Sequence, residues 1–336
     1  MAEFYEAWLD RGWLPDWLIR RGIRELLRER LIECEGRPKQ HWVDTLRVSP
    51  VAVFAEDANR QHYEVPTEFF QLCLGPRMKY SCAYYPKGDE SLAEAEEKML
   101  ELTCQRAQVR DGERILELGC GWGSLSLWMA EKYPASRIVT VSNSRTQKEF
   151  IDAEARRRGF LNLEVRTANM VDFACTEIFD RVVSVEMFEH MRNYQELLRR
   201  IASWLRPGGT LFVHIFAHRH FAYPFFGDEE DGWMERYFFT GGQMPSEDLL
   251  LYFQQDLHIR FVQRVDGMHY ARTCEDWLAK MDANVEAILP VFRACYGTGQ
   301  ERMWIERWRV FYMACAELFA FREGKEWGVC HYLFEK

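Results

Sequence analysis

Residues 184–191, Ser-Val-Glu-Met-Phe-Glu-His-Met, set two carboxylates and an imidazole among methionines and a phenylalanine. Glu186, Glu189 and His190 stand at i, i+3 and i+4, which places them on one face if the run turns as a helix. Carboxylates bind and orient a cation, and an imidazole tuned near neutral pH takes a proton from it. The plainer alternative is a helix N-terminus whose glutamates only suit the helix dipole. What surrounds the run decides between the two.

A second constellation lies upstream. The apolar run RILELG (114–119) leads into Glu117-Leu-Gly-Cys-Gly-Trp-Gly123, with an acid two residues ahead of the first of three alternating glycines. Glycines after a strand let the backbone turn sharply and approach a ligand closely. A loop built for pyrophosphate usually carries its third glycine further along, so this GxGxG form better suits a methionine-type carboxylate, an ammonium and a ribose. The second strand ends at Ser142-Asn143-Ser144 with Gln147 beyond, where hydroxyl and amide groups can serve a ribose diol. The third ends at Ala168-Asn169-Met170, where an amide can meet an adenine amino group and a Met can pack on its ring. Ligands bind at the carboxyl ends of the strands in open α/β sheets. Residues 184–191 occupy the fourth such station, facing the reacting end of the ligand.

The elements that must position these stations are legible. A helical stretch from 91 precedes strands at 114–119, 137–142, 163–168, 181–186 and 209–216, with helices at 123–133, 144–158 and up to about 204 between them. That alternation predicts a doubly wound α/β sheet, mostly parallel. Residues 217–260 break the rhythm with an aromatic, acidic insert. A strand returns near 258–266, helices fill about 273–322, and WGVCHYLFEK alternates like an edge strand. Residues 4–33 read as two amphipathic helices broken at Leu14-Pro15, able to dock on the body, on a partner or on a lipid surface. The expected organisation is a helical extension with a cofactor-covering segment (1–90), a cofactor-binding core (91–216), an insert with a helical cap (217–322) and a terminal edge strand (323–336).

Composition narrows the function classes. A formal charge of −9 argues against a nucleic-acid partner, which would select a basic face. The ten cysteines form no CxxC pair and no framework, and no secretory leader is visible, so a cytoplasmic chain with reduced thiols is expected. No stretch approaches the roughly 18 apolar residues of a membrane span, so no stable membrane insertion is expected. No cluster suggests a metal ligand set. Aromatic residues reach 15%, enough to line a pocket for a flat or cationic ligand besides filling the core.

The run ILELGCGWGSLSLWMAEKYP, with SNSRTQKEFI, MFEHMRNY, PTEFFQLCLGPRMKYSCAYYP, RYFFTGGQMPSEDLLLYFQ and GMHYARTCEDWL, resembles S-adenosylmethionine-dependent methyltransferases. More narrowly it resembles the group of cyclopropane-fatty-acid synthases and mycolic-acid methyltransferases, and within it the coclaurine N-methyltransferase-like enzymes. The resemblance runs from about residue 50 to the C-terminus. It implies a Rossmann-like class I methyltransferase fold with a seven-stranded, mostly parallel sheet, and S-adenosyl-L-methionine as cofactor. It places cofactor contacts on Tyr80, Ser81, Gly119, Gly121, Asn143, Gln147, Asn169, Met170 and Val185, beside the Glu117 read from the glycine loop. Many members have Asp where this chain has Asn169; an amide still accepts from an amino group.

Two chemistries share that scaffold. The synthases methylate an alkene and hold a bicarbonate base with a Cys, a Glu, a His and a Tyr. Cys82, Glu189 and His214 match the first three, but Phe311 stands at the Tyr position and Glu186 where the synthases commonly have Gly. A second carboxylate there would repel bicarbonate by about 1–4 kcal/mol. The N-methyltransferases resemble this chain on both points. The resemblance therefore implies methylation of a small aromatic or cyclic amine, with benzylisoquinoline-like substrates included, and Glu186, Glu189 and His190 as the catalytic set. Phe239, Trp308 and Phe311 match aromatic positions of the amine pocket. Tyr63 and Glu64 match a segment that closes over the cofactor, with Glu64 reaching either the methionine ammonium or the substrate amine. His214 in its strand and Cys315 read as structural. The competing readings are a lipid-modifying methyltransferase at a membrane surface and a non-catalytic cofactor-binding scaffold. The N-terminal helices leave a homodimer open.

Overall fold

The computed structural model describes residues 2–52, 65–225, 232–239 and 241–336. Helices α1 (Ala2–Leu9), α2 (Asp16–Glu35), α3 (Lys39–Val48) and α4 (Thr67–Cys73) come first. Pro15 occupies the N-cap of α2, where its missing N–H removes no helical bond. Helix α5 (Leu92–Arg106) starts on a capping box in which Ser91 and Glu94 each satisfy the other's backbone N–H.

The alternating core follows: β1 (Arg114–Leu118), α6 (Ser124–Lys132), β2 (Arg137–Ser142), α7 (Arg145–Arg158), β3 (Leu163–Thr167), β4 (Phe179–Val185), a 3-10 turn (Phe188–His190), α8 (Tyr194–Trp204) and β5 (Leu205–His218). A small ribbon, β6 (Tyr223–Pro224) with β7 (Gln243–Met244), brackets the short helix α9 (Trp233–Tyr237). The chain ends with β8 (His258–Val265), α10 (Gly267–Ala283), α11 (Val285–Tyr296), α12 (Glu301–Ala320) and β9 (Trp327–Glu335).

Seven strands form one sheet in the order β3-β2-β1-β4-β5-β9-β8. The pairs among β1 to β5 are parallel, and β9 runs antiparallel to both neighbours. The expected mostly parallel sheet is what forms, but the last strand is not an edge. β9 lies between β5 and β8, and Trp327 to Phe334 are all buried. Its apparent alternation came from His331, a polar residue satisfied inside the sheet, as described below; β8 carries the exposed edge.

Strand periodicity divides the core. Leu116, Leu118, Val139, Val182, Leu211 and Tyr332 face α3 and α8. Ile115, Ile138, Val183, Phe212 and Leu333 face α5 and α6. Glu117, His214 and His331 share the register parity of this second face. The strand order reverses between β1 and β4, which opens a crevice at their carboxyl ends.

A third apolar cluster builds the cap from α4, α10, α11 and α12. Helix α2 lies along it, with Arg20 bridging Glu275 and Glu317, and Arg24 reaching Glu317. Asp16 pairs with Arg309, and Asp10 with Arg307. The N-terminal helices thus dock on the body of their own chain. Among the described residues no helix is long and apolar enough to cross a membrane.

Candidate active site

The crevice is a chamber of about 1290 Å³ between the carboxyl ends of β1 to β4 and a roof of α2, α10, α12 and the aromatic insert. Glu117 enters it from β1, Gly119 and Gly121 from the turn that follows, Asn143 from the end of β2, Gln147 from the first turn of α7, and Asn169 and Met170 from beyond the end of β3. Val185 closes β4, and Tyr80 with Ser81 comes from the segment between α4 and α5. All ten residues assigned to the cofactor line this one space.

The glycines have separate reasons. Gly119 has φ +80°, and a Cβ there would stand 2.8 Å from the Met187 Cβ. Gly121 has φ +50° and faces open space, so its backbone is what a ligand meets. Ser142 Oγ donates to Gln147 Oε1 at 2.7 Å, which leaves the amide nitrogen to donate to a ligand. The Asn169 side-chain oxygen accepts from the Val171 N–H at 3.0 Å and keeps a second lone pair for an amino group. Glu117 is buried against the hydroxyls of Ser126 and Thr140, and burial pushes its carboxyl up to about 7. These donors, acceptors and the open glycine suit the carboxylate, diol and base of an adenosylated amino acid.

One cation at this site escaped the sequence reading. Lys79 is 3% exposed, lines the chamber, and donates to Ser81 Oγ. Burial draws its proton affinity down, and the negative Glu186 opposes that most strongly. Its position beside the quoted Tyr80-Ser81 pair was the only hint in the sequence.

The turn after β4 differs from the expected helical face. Glu186 has φ +49°, a left-handed conformation that disfavours most side chains, and the 3-10 turn begins two residues later. The left-handed residue sends its carboxylate to two donors, Cys82 N–H at 3.0 Å and Tyr270 OH at 2.5 Å, and to within 3.1 Å of His214 Nε2. Glu189 and His190 follow in the turn, and all three residues still line the chamber. Glu189 is 1% exposed, and its Oε2 has no hydrogen-bond partner among the described residues. The His190 ring stacks on Phe239 with centroids 4.8 Å apart.

The two carboxyls are not equivalent. Burial raises Glu186, while the Lys79 charge and the bonds from Tyr270 and Cys82 hold it down. Burial raises Glu189 well above the ordinary range, and the neighbouring Glu186 charge pushes it further. Of the pair, Glu189 is the one that takes up a proton first.

The aromatic side is partly as expected. Phe239 and Phe311 line the chamber, joined by Phe216, Tyr223 and Phe319, which sequence reasoning did not single out. Trp308 is not in the lining. It is 1% exposed and packs against Phe69, Phe70 and Phe238, so it backs the wall. Its position on α12 faces α4 and the aromatic insert, while Phe311, three residues on, faces the ligand space. Tyr63 and Glu64 lie outside the described residues. The Cys82 thiol is fully buried and donates to the Ala83 carbonyl, so only its backbone N–H serves the site. No group of three or more His, Cys, Asp or Glu placed to hold a metal ion occurs among the described residues.

This sheet order, with its glycine turn after the first strand and adenosine-type stations along the carboxyl ends, defines a class I methyltransferase scaffold. Residues 54–327 match the family described as mycolic acid cyclopropane synthetase. The chain is 40% identical to an (S)-coclaurine N-methyltransferase of Thalictrum flavum subsp. glaucum, over 98% of this chain and 94% of the relative. It is 35% identical to an (S)-coclaurine N-methyltransferase of Papaver somniferum, over 98% and 96%. A crystal structure of coclaurine N-methyltransferase bound to N-methylheliamine and SAH superposes with a TM-score of 0.96 at 37% identity, covering 100% of this chain and 99% of that one. The chain belongs to the mycolic acid cyclopropane synthetase family, on its S-adenosylmethionine-dependent N-methyltransferase branch.

Proposed function

We propose that the protein methylates the nitrogen of a small aromatic or cyclic amine of benzylisoquinoline type. The observation that carries this reading is Glu189 Oε2: a buried carboxylate oxygen without a hydrogen-bond partner among the described residues, beside an anionic neighbour and inside an aromatic chamber. Such a group suits a ligand that arrives as a cation and gives up a proton. The names of the relatives support an amine, and the N-methylheliamine and SAH bound to the structural neighbour support a chamber that holds an N-methyl compound beside the cofactor.

S-adenosylmethionine, when bound, supplies an electrophilic methyl group. Gln147, Asn169, Met170, Ser81 and the glycine turn would hold it. The chain's own part is to receive the substrate ammonium between carboxylates, remove its proton, and keep water out. Most alkylamines are protonated near neutral pH, so the lone pair must be exposed before it can attack. Glu186 supplies fixed negative charge. Glu189 accepts the proton at Oε2, and His190, stacked on Phe239, stands at the same wall to pass it on. Phe239, Phe311 and Phe216 give the ring flat apolar surface and cation–π attraction for the ammonium.

A panel of primary and secondary amines, cyclic and acyclic, incubated with S-adenosylmethionine and read by mass tests the reading. Gain of one methyl on ring amines such as tetrahydroisoquinolines supports it. No product from any amine overturns it.

A further inference from the structure

Behind Glu186 a chain of hydrogen bonds runs through the sheet. Arg106 Nη1 lies 2.7 Å from His331 Nδ1, His331 Nε2 lies 2.9 Å from His214 Nδ1, and His214 Nε2 lies 3.1 Å from Glu186 Oε1. His214 and His331 are register partners across β5 and β9, and both are 0% exposed. Arg106 is the last residue of α5, which covers that face.

The end of the chain fixes its direction. A guanidinium has donors only, so the His331 Nδ1 must accept. The neutral ring then carries its proton on Nε2 and donates to His214 Nδ1, and His214 in turn carries its proton on Nε2 and donates to Glu186. Each ring uses one donor and one acceptor. An imidazolium at either position would set N–H against N–H. Burial, with the Lys79 and Arg106 charges, also holds both histidines well below the ordinary range.

We propose that Arg106, His331 and His214 are positioning residues that form a one-way relay holding Glu186 as a permanent acceptor, so that Glu186 binds the cationic substrate and Glu189 takes its proton. The last clause rests on the N-methylation reading; the relay itself does not. The relay is an anchor and not an exit. Glu186 can hand a proton to His214 only at Nε2, and that nitrogen already bears one. The other groups facing Glu186 fit this role. Lys79 brings positive charge from the segment before α5, and Tyr270 donates from α10. The Cys82 and Cys274 thiols are pushed well above their usual range by burial and stay neutral, and His190 follows Glu189 in the turn as the next group on that wall.

The test combines NMR with kinetics on the full chain. Long-range proton–nitrogen correlation spectra of ¹⁵N-histidine-labelled protein are expected to show His214 and His331 as neutral Nε2–H tautomers across about pH 6–8. In Arg106→Met, and separately in His331→Phe, Glu186 loses the donor orientation of His214. The acid limb of kcat/KM then moves up by about one pH unit, the amine KM rises on the order of tenfold, and the cofactor dissociation constant is unchanged. Arg106→Lys, which keeps a cationic donor, restores most of the limb. A generally weakened fold would not move a pH limb and return it with lysine. An Nδ1–H tautomer or an imidazolium at either ring in the wild type overturns the relay, as does an unmoved limb in the folded variants. The NMR result needs no methyl transfer, so failure of the N-methylation reading and failure of the relay are seen separately.

Discussion

At the scale of single residues the proposed mechanism divides the work between two glutamates three positions apart. Glu186 is pinned by three partners, and Glu189 keeps an oxygen without a partner among the described residues. Glu189→Gln should lower turnover by on the order of a hundredfold, with cofactor affinity unchanged by calorimetry. The residual activity should show an acid limb moved to lower pH, because the carboxyl that takes up a proton first is gone and Glu186 is the one left to titrate. His190→Ala should lose turnover to a similar degree.

The sequence grouped Glu186, Glu189 and His190, which the fold does bring to one chamber, but it did not show how differently they are held. A helical face was the natural reading of i, i+3, i+4. The left-handed Glu186 removed it, and that conformation is set by partners 28, 84 and 104 residues away. The relay was invisible for the same reason, since His331 meets His214 only through sheet pairing. Trp308 was assigned by its match to an aromatic position of the amine pocket, and only the helix rotation separates it from Phe311.

At the scale of elements, the turn between β1 and α6 packs against the turn after β4. Gly119 touches Met187, which sits inside the 184–191 run. Gly119→Ala forces both a positive-φ alanine and a 2.8 Å clash with that methionine, and should cost about 3 kcal/mol of stability by denaturant unfolding. Gly121→Ala meets open space and should cost about 1 kcal/mol, its larger effect being weaker cofactor binding. Such paired outcomes were half legible: three glycines after a strand announce a tight turn, but which of them touches protein and which touches ligand depends on the neighbouring strand.

Glu117, in the strand that leads into this turn, adds a pH dependence. Its carboxyl rises from an ordinary 4.5 to about 7 in the folded protein, so the folded state holds the proton more tightly than the unfolded chain. Stability from this group is present at low pH and is lost as pH rises through about 7, by on the order of 3 kcal/mol in all. Melting temperature should therefore fall from about pH 5 to about pH 8, and Glu117→Gln should flatten part of that slope.

At the scale of the molecule, a parallel core, an antiparallel finish and a helical cap enclose one chamber. The core was read nearly strand by strand from its alternation with helices. The placement of β9 between β5 and β8 was not, because its buried histidine mimicked a solvent-facing residue. The N-terminal helices close the roof through ion pairs centred on Glu317, which is 9% exposed and meets Arg20 and Arg24. Glu317→Ala leaves two arginines of α2 without that partner. Hydrogen exchange of residues 16–35 should quicken several-fold, with β1 to β5 unchanged.

The central claim is that the methyl group goes to nitrogen. Methyl-labelled S-adenosylmethionine, a ring amine and vesicles of unsaturated phospholipid in one reaction put both chemistries of the family in competition. Label is expected on the amine nitrogen and none in the acyl chains. Label in the acyl chains with the amine untouched would contradict it.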